Sequence, residues 1–140
     1  MSLHTSHETV PESFYDLFIE RMTFAALATK MPDGHIHVTP VWVDYDEDED
    51  RILVNTERDR QKEVNMRREP TVGLYVSDPD DPWRWVSIQG TVDEMTTEGA
   101  KEHIDELAVK WLDVDEYPNP IATERVLVKI APERVITRDD

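Results

Sequence analysis

Two apolar segments flank an Asp-Gly pair in the first third of the chain. Residues 23–29 and 35–45 are rich in small apolar, β-branched and aromatic side chains, and the segment between them contains Met31-Pro32-Asp33-Gly34. An Asp-Gly turn between two such segments is among the strongest short-range indications of an antiparallel hairpin. The sequence therefore predicts a β-hairpin whose strands are residues 23–29 and 35–45.

The second strand of this hairpin is apolar on both faces, because side chains alternate between the two faces of a strand. The first face carries Ile36, Val38, Pro40 and Trp42, and the second carries His37, Thr39, Val41 and Val43. One face is expected to pack into the core, and the other to be covered by a ligand or by a second subunit.

Further β-rich segments follow, separated by turn signals. Strands are predicted at residues 52–56, 71–77, 83–93, 126–130 and 135–136. The acidic segment 44–50 and the Asp-Pro segment 78–82 are expected to be turns. Apolar residues at helical spacing predict helices over residues 11–21 and 96–112, the latter capped by Thr96, and residues 59–68 are predicted as a short helix before Pro70. The fold class is therefore mainly β: a barrel-like antiparallel sheet with helices at its rim.

The length of 140 residues predicts one domain over residues 1–140, with residues 1–10 as a flexible tail. The chain has no cysteine, which excludes disulfides, thiolate metal ligands and a cysteine nucleophile. The N-terminal segment lacks the regions of a secretion signal, and no apolar stretch could span a bilayer. We therefore expect a cytoplasmic protein without a membrane partner.

The charge of the chain is unusual, with 31 acidic and 15 basic residues and a net charge of −16. Six of the seven residues in 44–50 are acidic, and arginine outnumbers lysine by ten to five. This composition is typical of halophilic proteins, because molar salt shortens the Debye length to about 3 Å and removes self-repulsion. Acidic disorder is disfavoured, since the 39% apolar residues are spread along the chain. The same charge opposes nucleic acid as a partner.

Residues 58–68 nevertheless contain five of the fifteen basic residues. This cluster could be a solvated helix face whose cations pair with neighbouring carboxylates, or it could bind an anion. A helix that starts after Thr56 would aim its free N–H groups and positive dipole end at a phosphate. Arg60 and Lys62 could add charge-assisted hydrogen bonds there, together with the Thr56 hydroxyl and the Asn65 amide.

No common catalytic motif is present, and four glycines could not build most glycine-rich nucleotide loops. His35 and His37 could share a strand face as metal ligands, but further ligands have no obvious source, so no metal site is predicted. The many carboxylates offer no distinctive acid–base pair. If the chain is an enzyme, a bound cofactor is expected to carry the reaction.

Several short blocks of the sequence follow one another in a specific order and at specific spacings. They are residues 24–29, the Asp33-Gly34-His35 turn, Pro40-Val41-Trp42-Val43, and residues 55–65, 68–74 and 86–92. Together they resemble the pyridoxamine 5'-phosphate oxidase-like flavin-binding split barrels, and most closely the branch that uses the deazaflavin coenzyme. The resemblance extends over roughly residues 14–137.

The resemblance implies a six-stranded antiparallel split β-barrel with short flanking helices, and a homodimer with FMN or coenzyme F420 in a groove between the subunits. The residues implied for the cofactor phosphate are Thr56, Arg60, Lys62 and Asn65, and Gln61 is implied as a further cofactor-binding residue. The residues implied for the tricyclic ring are Thr39, Pro40, Val41 and Trp42. Trp83 and Trp85 would reach the partner's cofactor, the alternative for both being plain strand packing.

The chain departs from the oxidase itself, because it lacks that enzyme's C-terminal substrate segment and its strongly basic second strand. Oxidation of a vitamin B6 compound is therefore not expected, and the Pro40-Val41-Trp42 motif favours the deazaflavin branch. The expected function is an oxidoreductase that transfers hydride between bound F420 or FMN and a small organic substrate. The alternative is a non-catalytic carrier or sensor, since both roles need the same phosphate site and neither needs a diagnostic acid or base.

Overall fold

The computed structural model describes residues 4–139, and its main feature is one antiparallel sheet. Six of its strands have seven or more residues, whereas two have only three. In chain order the strands are β1 (Thr5–His7), β2 (Phe24–Lys30), β3 (Ile36–Trp42), β4 (Asp44–Asp46), β5 (Arg51–Glu57), β6 (Thr71–Asp78), β7 (Asp81–Thr96) and β8 (Arg125–Arg138). The predicted hairpin is confirmed as β2 and β3, whose registered pairs include Leu27 with Thr39.

The sheet curls into a barrel because one segment of the chain serves both of its edges. The strand order is β3-β2-β6-β7-β8-β5-β4, and β1 pairs with β8. β3 and β4 stand at opposite ends of this order, yet only Val43 separates them in the chain. The strand that begins beside β2 therefore continues beside β5 and brings the two edges together. The predicted mainly β, six-stranded split barrel is confirmed, with β1 and β4 as short additions.

The interior of the barrel is filled by alternate side chains of the long strands. Those with at most 1% of their surface exposed include Leu27, Ile52, Val54, Val76, Val86, Ile88, Val128 and Ile130. The short helix α1 (Asp16–Ile19) packs Leu17 and Phe18 into the same core. Each buried side chain of this size stabilises the fold by about 1.5–3 kcal/mol, so the sheet is a rigid support for the residues on its rim.

The helices are shorter than the sequence predicted. In place of one helix over residues 11–21, the chain forms a 3₁₀ turn (Glu12–Phe14) followed by α1. The next helix, α2 (Gln61–Arg68), begins two residues late because Asp59 has a left-handed φ of 74°. Among residues 4–139, no helix is long and apolar enough to cross a membrane.

The third helix, α3 (Ala100–Leu112), does not start at Thr96. That residue pairs with Leu127 as the last position of β7, and the helix begins after Gly99, whose φ of 76° suits glycine. The predicted apolar stripe is present, because Ile104, Leu107 and Ala108 are buried.

Three predictions about the sheet were wrong in detail. Residues 44–46, expected in a turn, are β4, because they pair with Arg51–Leu53 at the sheet edge. Residues 5–7, expected in a flexible tail, pair with β8 as β1, which satisfies their backbone groups; residues 1–3 of that tail lie outside the described part. The strands predicted at 126–130 and 135–136 are one strand, β8, since its length lets it pair with both β5 and β7.

Candidate functional site

An open cleft of about 210 Å³ lies at the rim of the barrel, between β3, the end of β5, the start of α2 and α3. One side of it is apolar and the other is basic. Its lining consists of Phe24, Pro40, Val41, Trp42, Asn55, Thr56, Arg60, Lys62, Ile104, Leu112, Tyr117, Asn119 and Arg125. The cleft therefore brings together six of the residues that the sequence singled out: Pro40, Val41, Trp42, Thr56, Arg60 and Lys62.

The basic side of the cleft consists of Arg60, Lys62 and Arg125. Within residues 4–139 no carboxylate lies within salt-bridge distance of these three cations, although Arg58 pairs with Glu124 at 2.6 Å. These neighbouring positive charges, in a chain this acidic, therefore have no carboxylate in direct contact as counter-charge. An anion would supply it.

The pKa values of the cleft cations reflect this crowding. Burial lowers the pKa of Lys62, and the charges of Arg60 and Arg125 lower it further. Burial also lowers the pKa of Arg125, against the weaker opposing effects of Tyr117 and Glu57. Both cations are held where their charged form is disfavoured, which is typical of binding sites.

The backbone at the start of α2 adds to the positive potential. Arg60 is the residue before the helix and no side chain caps it, so the first N–H groups of α2 keep their hydrogen-bonding capacity. Thr56 lies near the end of β5, with 3% of its surface exposed. The link between them turns at Asp59, whose N–H donates to Glu63 Oε1 at 2.8 Å, and this bond holds the start of the helix in place.

Two residues predicted to bind the cofactor, Gln61 and Asn65, do not line the cleft. Asn65 is fully buried, and its amide donates to Thr29 Oγ1 at 3.0 Å, which ties α2 to β2. Gln61 is exposed and donates to Asn65 Oδ1 at 2.8 Å. Both amides are therefore occupied in joining α2 to itself and to the sheet, and the role in binding predicted for Asn65 has no geometric support in this chain.

The apolar side of the cleft is the Phe24, Pro40, Val41 and Trp42 surface. Trp42 Nε1 and Thr39 Oγ1 are buried, and neither has a hydrogen-bond partner within the described residues. Buried polar atoms are nearly always paired in folded proteins. Thr39 itself does not line the cleft.

Trp83 and Trp85 lie on β7, away from the cleft of their own chain. Trp83 is 58% exposed and its ring lies under the Arg138 guanidinium. Trp85 contacts the ring of Tyr75, with a centroid separation of 6.0 Å. The prediction that these two residues reach a partner's cofactor concerns a second subunit, and it stays a prediction.

The outward face of β2, β3 and β6 forms an apolar surface next to the cleft. Phe24, Ile36 and Val38 are each close to 60% exposed, and Tyr75 is 43% exposed. The strand register places them on one face of the sheet, since Phe24 pairs with Trp42, Val38 pairs with Ala28 and Tyr75 pairs with Ala26. This confirms that one face of β3 packs inward and the other is left uncovered by its own chain.

The cleft residues that sequence patterns did not indicate include Asn55, Tyr117 and Arg125, the last of which contacts the other two. Arg125 is 6% exposed; its Nε donates to Asn55 Oδ1 at 2.8 Å, and its guanidinium lies over the Tyr117 ring. Arg125 is 57 residues or more from the basic cluster in the chain, and only the pairing of β8 with β5 brings it there. The one feature of the sequence that could have indicated Arg125 is that it is an arginine at the start of an apolar strand in an acidic chain.

The two histidines considered as metal ligands lie elsewhere. His35 is in the hairpin turn, where its Nδ1 is 2.9 Å from Asp33 Oδ2. In the part of the chain that the structure describes, no group of three or more His, Asp or Glu residues could hold a metal ion.

Comparison with known proteins identifies the family. The pyridoxamine 5'-phosphate oxidase family model matches residues 12–139. The chain belongs to this family. No curated protein matches the sequence significantly.

Solved structures with the same fold include proteins of several kinds. An F420 reductase is 27% identical, with a TM-score of 0.75 over 90% of this chain and 98% of that one. A conserved hypothetical protein, Rv2991 from Mycobacterium tuberculosis, is 25% identical, with a TM-score of 0.68 over 94% of this chain and 86% of that one. A FAD-binding protein from Mesorhizobium loti is 16% identical, with a TM-score of 0.63 over 99% and 100%, and this likeness concerns the fold alone.

Proposed function

We propose that this member of the pyridoxamine 5'-phosphate oxidase family is an oxidoreductase that transfers hydride between a bound flavin-type cofactor, coenzyme F420 or FMN, and a small organic substrate. The observation that carries the proposal is the cleft, in which three cations without carboxylate partners face an apolar wall. Family membership and the likeness to an F420 reductase support it.

The residues of the cleft fit a phosphorylated cofactor. Arg60, Lys62 and Arg125 would hold its phosphate by charge-assisted hydrogen bonds, and the Thr56 hydroxyl and the first N–H groups of α2 would complete the site. Burial, and then the charges of Arg60 and Arg125, lower the pKa of Lys62, and the anion would relieve the repulsion among these charges. Binding therefore has an electrostatic driving force that is already built into this rim of the barrel.

The apolar wall fits a flat ring system. Pro40, Val41 and Trp42 lie on a strand whose register is fixed by pairing with β2, so they form a rigid surface that excludes water. Trp42 Nε1 is a donor without a partner in the described chain and could be satisfied beside a polar ring atom. The cofactor, when bound, would supply the hydride chemistry, and the protein would contribute orientation and a dry cleft.

We further propose that the protein is a homodimer with the site between its subunits. A cleft of about 210 Å³ is smaller than the roughly 300–1,000 Å³ of typical cofactor and ligand pockets, which supports a site that a second surface completes. The apolar face around Val38 and Tyr75 borders the cleft and is of the kind that dimer interfaces bury. Trp83 and Trp85 of the partner are candidates for the missing wall.

A second candidate function is a carrier or sensor that binds the cofactor without turnover. The observation that favours it is the composition of the lining, which contains neither a histidine nor a carboxylate as a proton donor or acceptor.

Stopped-flow oxidation of the reduced coenzyme separates these two functions. The reduced cofactor is mixed with quinones and activated alkenes, with and without protein, at molar salt. An oxidoreductase accelerates oxidation by at least one acceptor, and Trp42→Ala, which disturbs the wall, lowers that rate. Tight binding without acceleration by any acceptor would favour the carrier.

A further inference from the structure

A line of hydrogen bonds connects the cleft with a buried histidine outside it. Arg125 Nε donates to Asn55 Oδ1 at 2.8 Å, and Asn55 Nδ2 lies 3.1 Å from His103 Nδ1. On the other side of the imidazole, His103 Nε2 lies 3.1 Å from Asp44 Oδ2. His103 is on α3, 7% exposed, and does not line the cleft.

Chemistry fixes the direction of every bond in this line. The guanidinium of Arg125 can only donate and the Ala100 carbonyl can only accept, so the Asn55 amide turns Oδ1 toward Arg125 and its NH₂ group toward Ala100 O, 2.8 Å away. The same NH₂ group faces His103 Nδ1, which must therefore accept. The imidazole proton is left on Nε2 and is donated to the Asp44 carboxylate.

We propose that His103, held by Asp44, is a positioning residue for Arg125. The inference rests on the proposed function, because it assigns Arg125 to the cofactor phosphate. Arg125 has no carboxylate partner among residues 4–139, so the Asn55 amide fixes its Nε. His103 in turn holds that amide in the orientation that presents Oδ1, as an outer residue orients a ligand-binding one.

The protonation state of His103 decides whether this arrangement is possible. A proton on Nδ1 would face the Asn55 NH₂ group, donor against donor. Turning the Asn55 amide over would relieve that contact but would present NH₂ to Arg125 Nε, again donor against donor. Protonation of His103 therefore loosens Arg125.

The charged groups around His103 do not change their own protonation when His103 is protonated. Burial of Asp44 opposes its ionisation, but the hydrogen bonds from His103 and from the Tyr45 N–H outweigh burial and lower the pKa of Asp44. Asp44 therefore stays ionised where histidines titrate. Lys110 on α3 acts on Asp44 from a distance, and Arg125 lies on the far side of Asn55.

Two substitutions at position 103 separate positioning from simple packing. An asparagine amide oxygen overlays the imidazole Nδ1 position, so His103→Asn keeps the acceptor for Asn55. A glutamine amide nitrogen overlays Nε2, so His103→Gln keeps the donor to Asp44 and loses that acceptor. We would titrate the wild type and both variants with F420 and with FMN, between about pH 8 and about pH 5.

The proposal predicts that His103→Gln binds the cofactor about tenfold more weakly, the scale of one hydrogen bond to a charged group, while His103→Asn stays within about threefold of wild type. Wild-type affinity should fall toward low pH by more than that of His103→Asn, since ligand titration is common to both. Equal affinity of the two variants, or parallel pH profiles, would overturn it.

A ligand-free readout keeps this test apart from that of the proposed function. Nitrogen-15 NMR should show His103 protonated at Nε2, and the Arg125 Nε–H signal should broaden as His103 takes up its second proton. If His103→Gln does not fold, these NMR spectra of the wild-type protein at different pH values still test the positioning role of His103. If these NMR signals are observed but no cofactor binds, the proposed function is wrong and the hydrogen-bond arrangement around Arg125 stands. If neutral His103 is protonated at Nδ1, the positioning role is wrong.

Discussion

Replacing Lys62 by methionine should change ligand binding and stability in opposite directions. Burial and the neighbouring cations lower the pKa of Lys62, which means that its charge destabilises the ligand-free fold. Lys62→Met removes that charge and keeps the length of the side chain, so the ligand-free protein should become more stable, by up to about 1 kcal/mol. It also removes one charge-assisted bond to the phosphate, which should weaken cofactor binding by about 1.5–3 kcal/mol, or roughly 12-fold to 150-fold.

The assay pairs urea unfolding of the ligand-free protein with a fluorescence titration of the cofactor, both at the same molar salt. Lys129→Met is the matched control, because the hydrogen bond to Glu94 raises the pKa of Lys129 and this lysine lies outside the cleft. The control should lose a little stability and no affinity. If Lys62→Met is less stable than wild type and binds either cofactor as tightly as wild type does, Lys62 is an ordinary solvated cation and the assignment of the phosphate site fails.

Two other predictions concern assembly and acid stability. Val38→Glu places a charge on the exposed apolar face, so light scattering should show a monomer and titration should show weakened cofactor binding. The control Val109→Glu, at a similarly exposed position on α3, should remain a dimer. If the Val38→Glu protein is a dimer, this face is not the subunit interface. Hydrogen bonds from Arg84 lower the pKa of Asp16 below its ordinary 3.8, so this carboxylate stabilises the fold above that pH and the stabilisation is lost as pH falls through the lowered value. Arg84→Gln should cost about 2 kcal/mol at neutral pH and flatten the acid unfolding curve, and an unchanged curve would assign acid unfolding to other carboxylates.

Local signals in the sequence predicted the sheet well. The Asp33-Gly34 turn and the alternating apolar residues of β3 determine the hairpin within about a dozen residues, because hairpin geometry is local. Helix starts were predicted poorly, since Thr96 has the character of a cap but is paired in β7. Long-range strand pairing overrode the local preference there, as it did for the acidic residues of β4.

The cleft residues that form local sequence patterns were predicted, and those brought together by long-range strand pairing were not. Arg60 and Lys62 were identifiable because they form a basic cluster in an acidic chain, and the structure places them in the same cleft as Trp42. Arg125 and Asn55 face each other only because β5 pairs with β8 across about 70 residues of chain, a distance over which no local pattern acts. Asn65 looked like a ligand-binding amide, yet burial directs it to Thr29.

The most direct test of the central claim is an equilibrium titration of the purified wild-type protein with coenzyme F420 and, separately, with FMN at molar salt, followed by fluorescence. The proposed site predicts saturable binding of one cofactor per chain, with a Kd at or below about 10 µM for at least one of the two. The same titration with Arg125→Ala should require at least about tenfold more cofactor for saturation. Failure of both cofactors to saturate the wild-type protein below about 1 mM would contradict the claim that the three cations of the cleft form a cofactor-phosphate site.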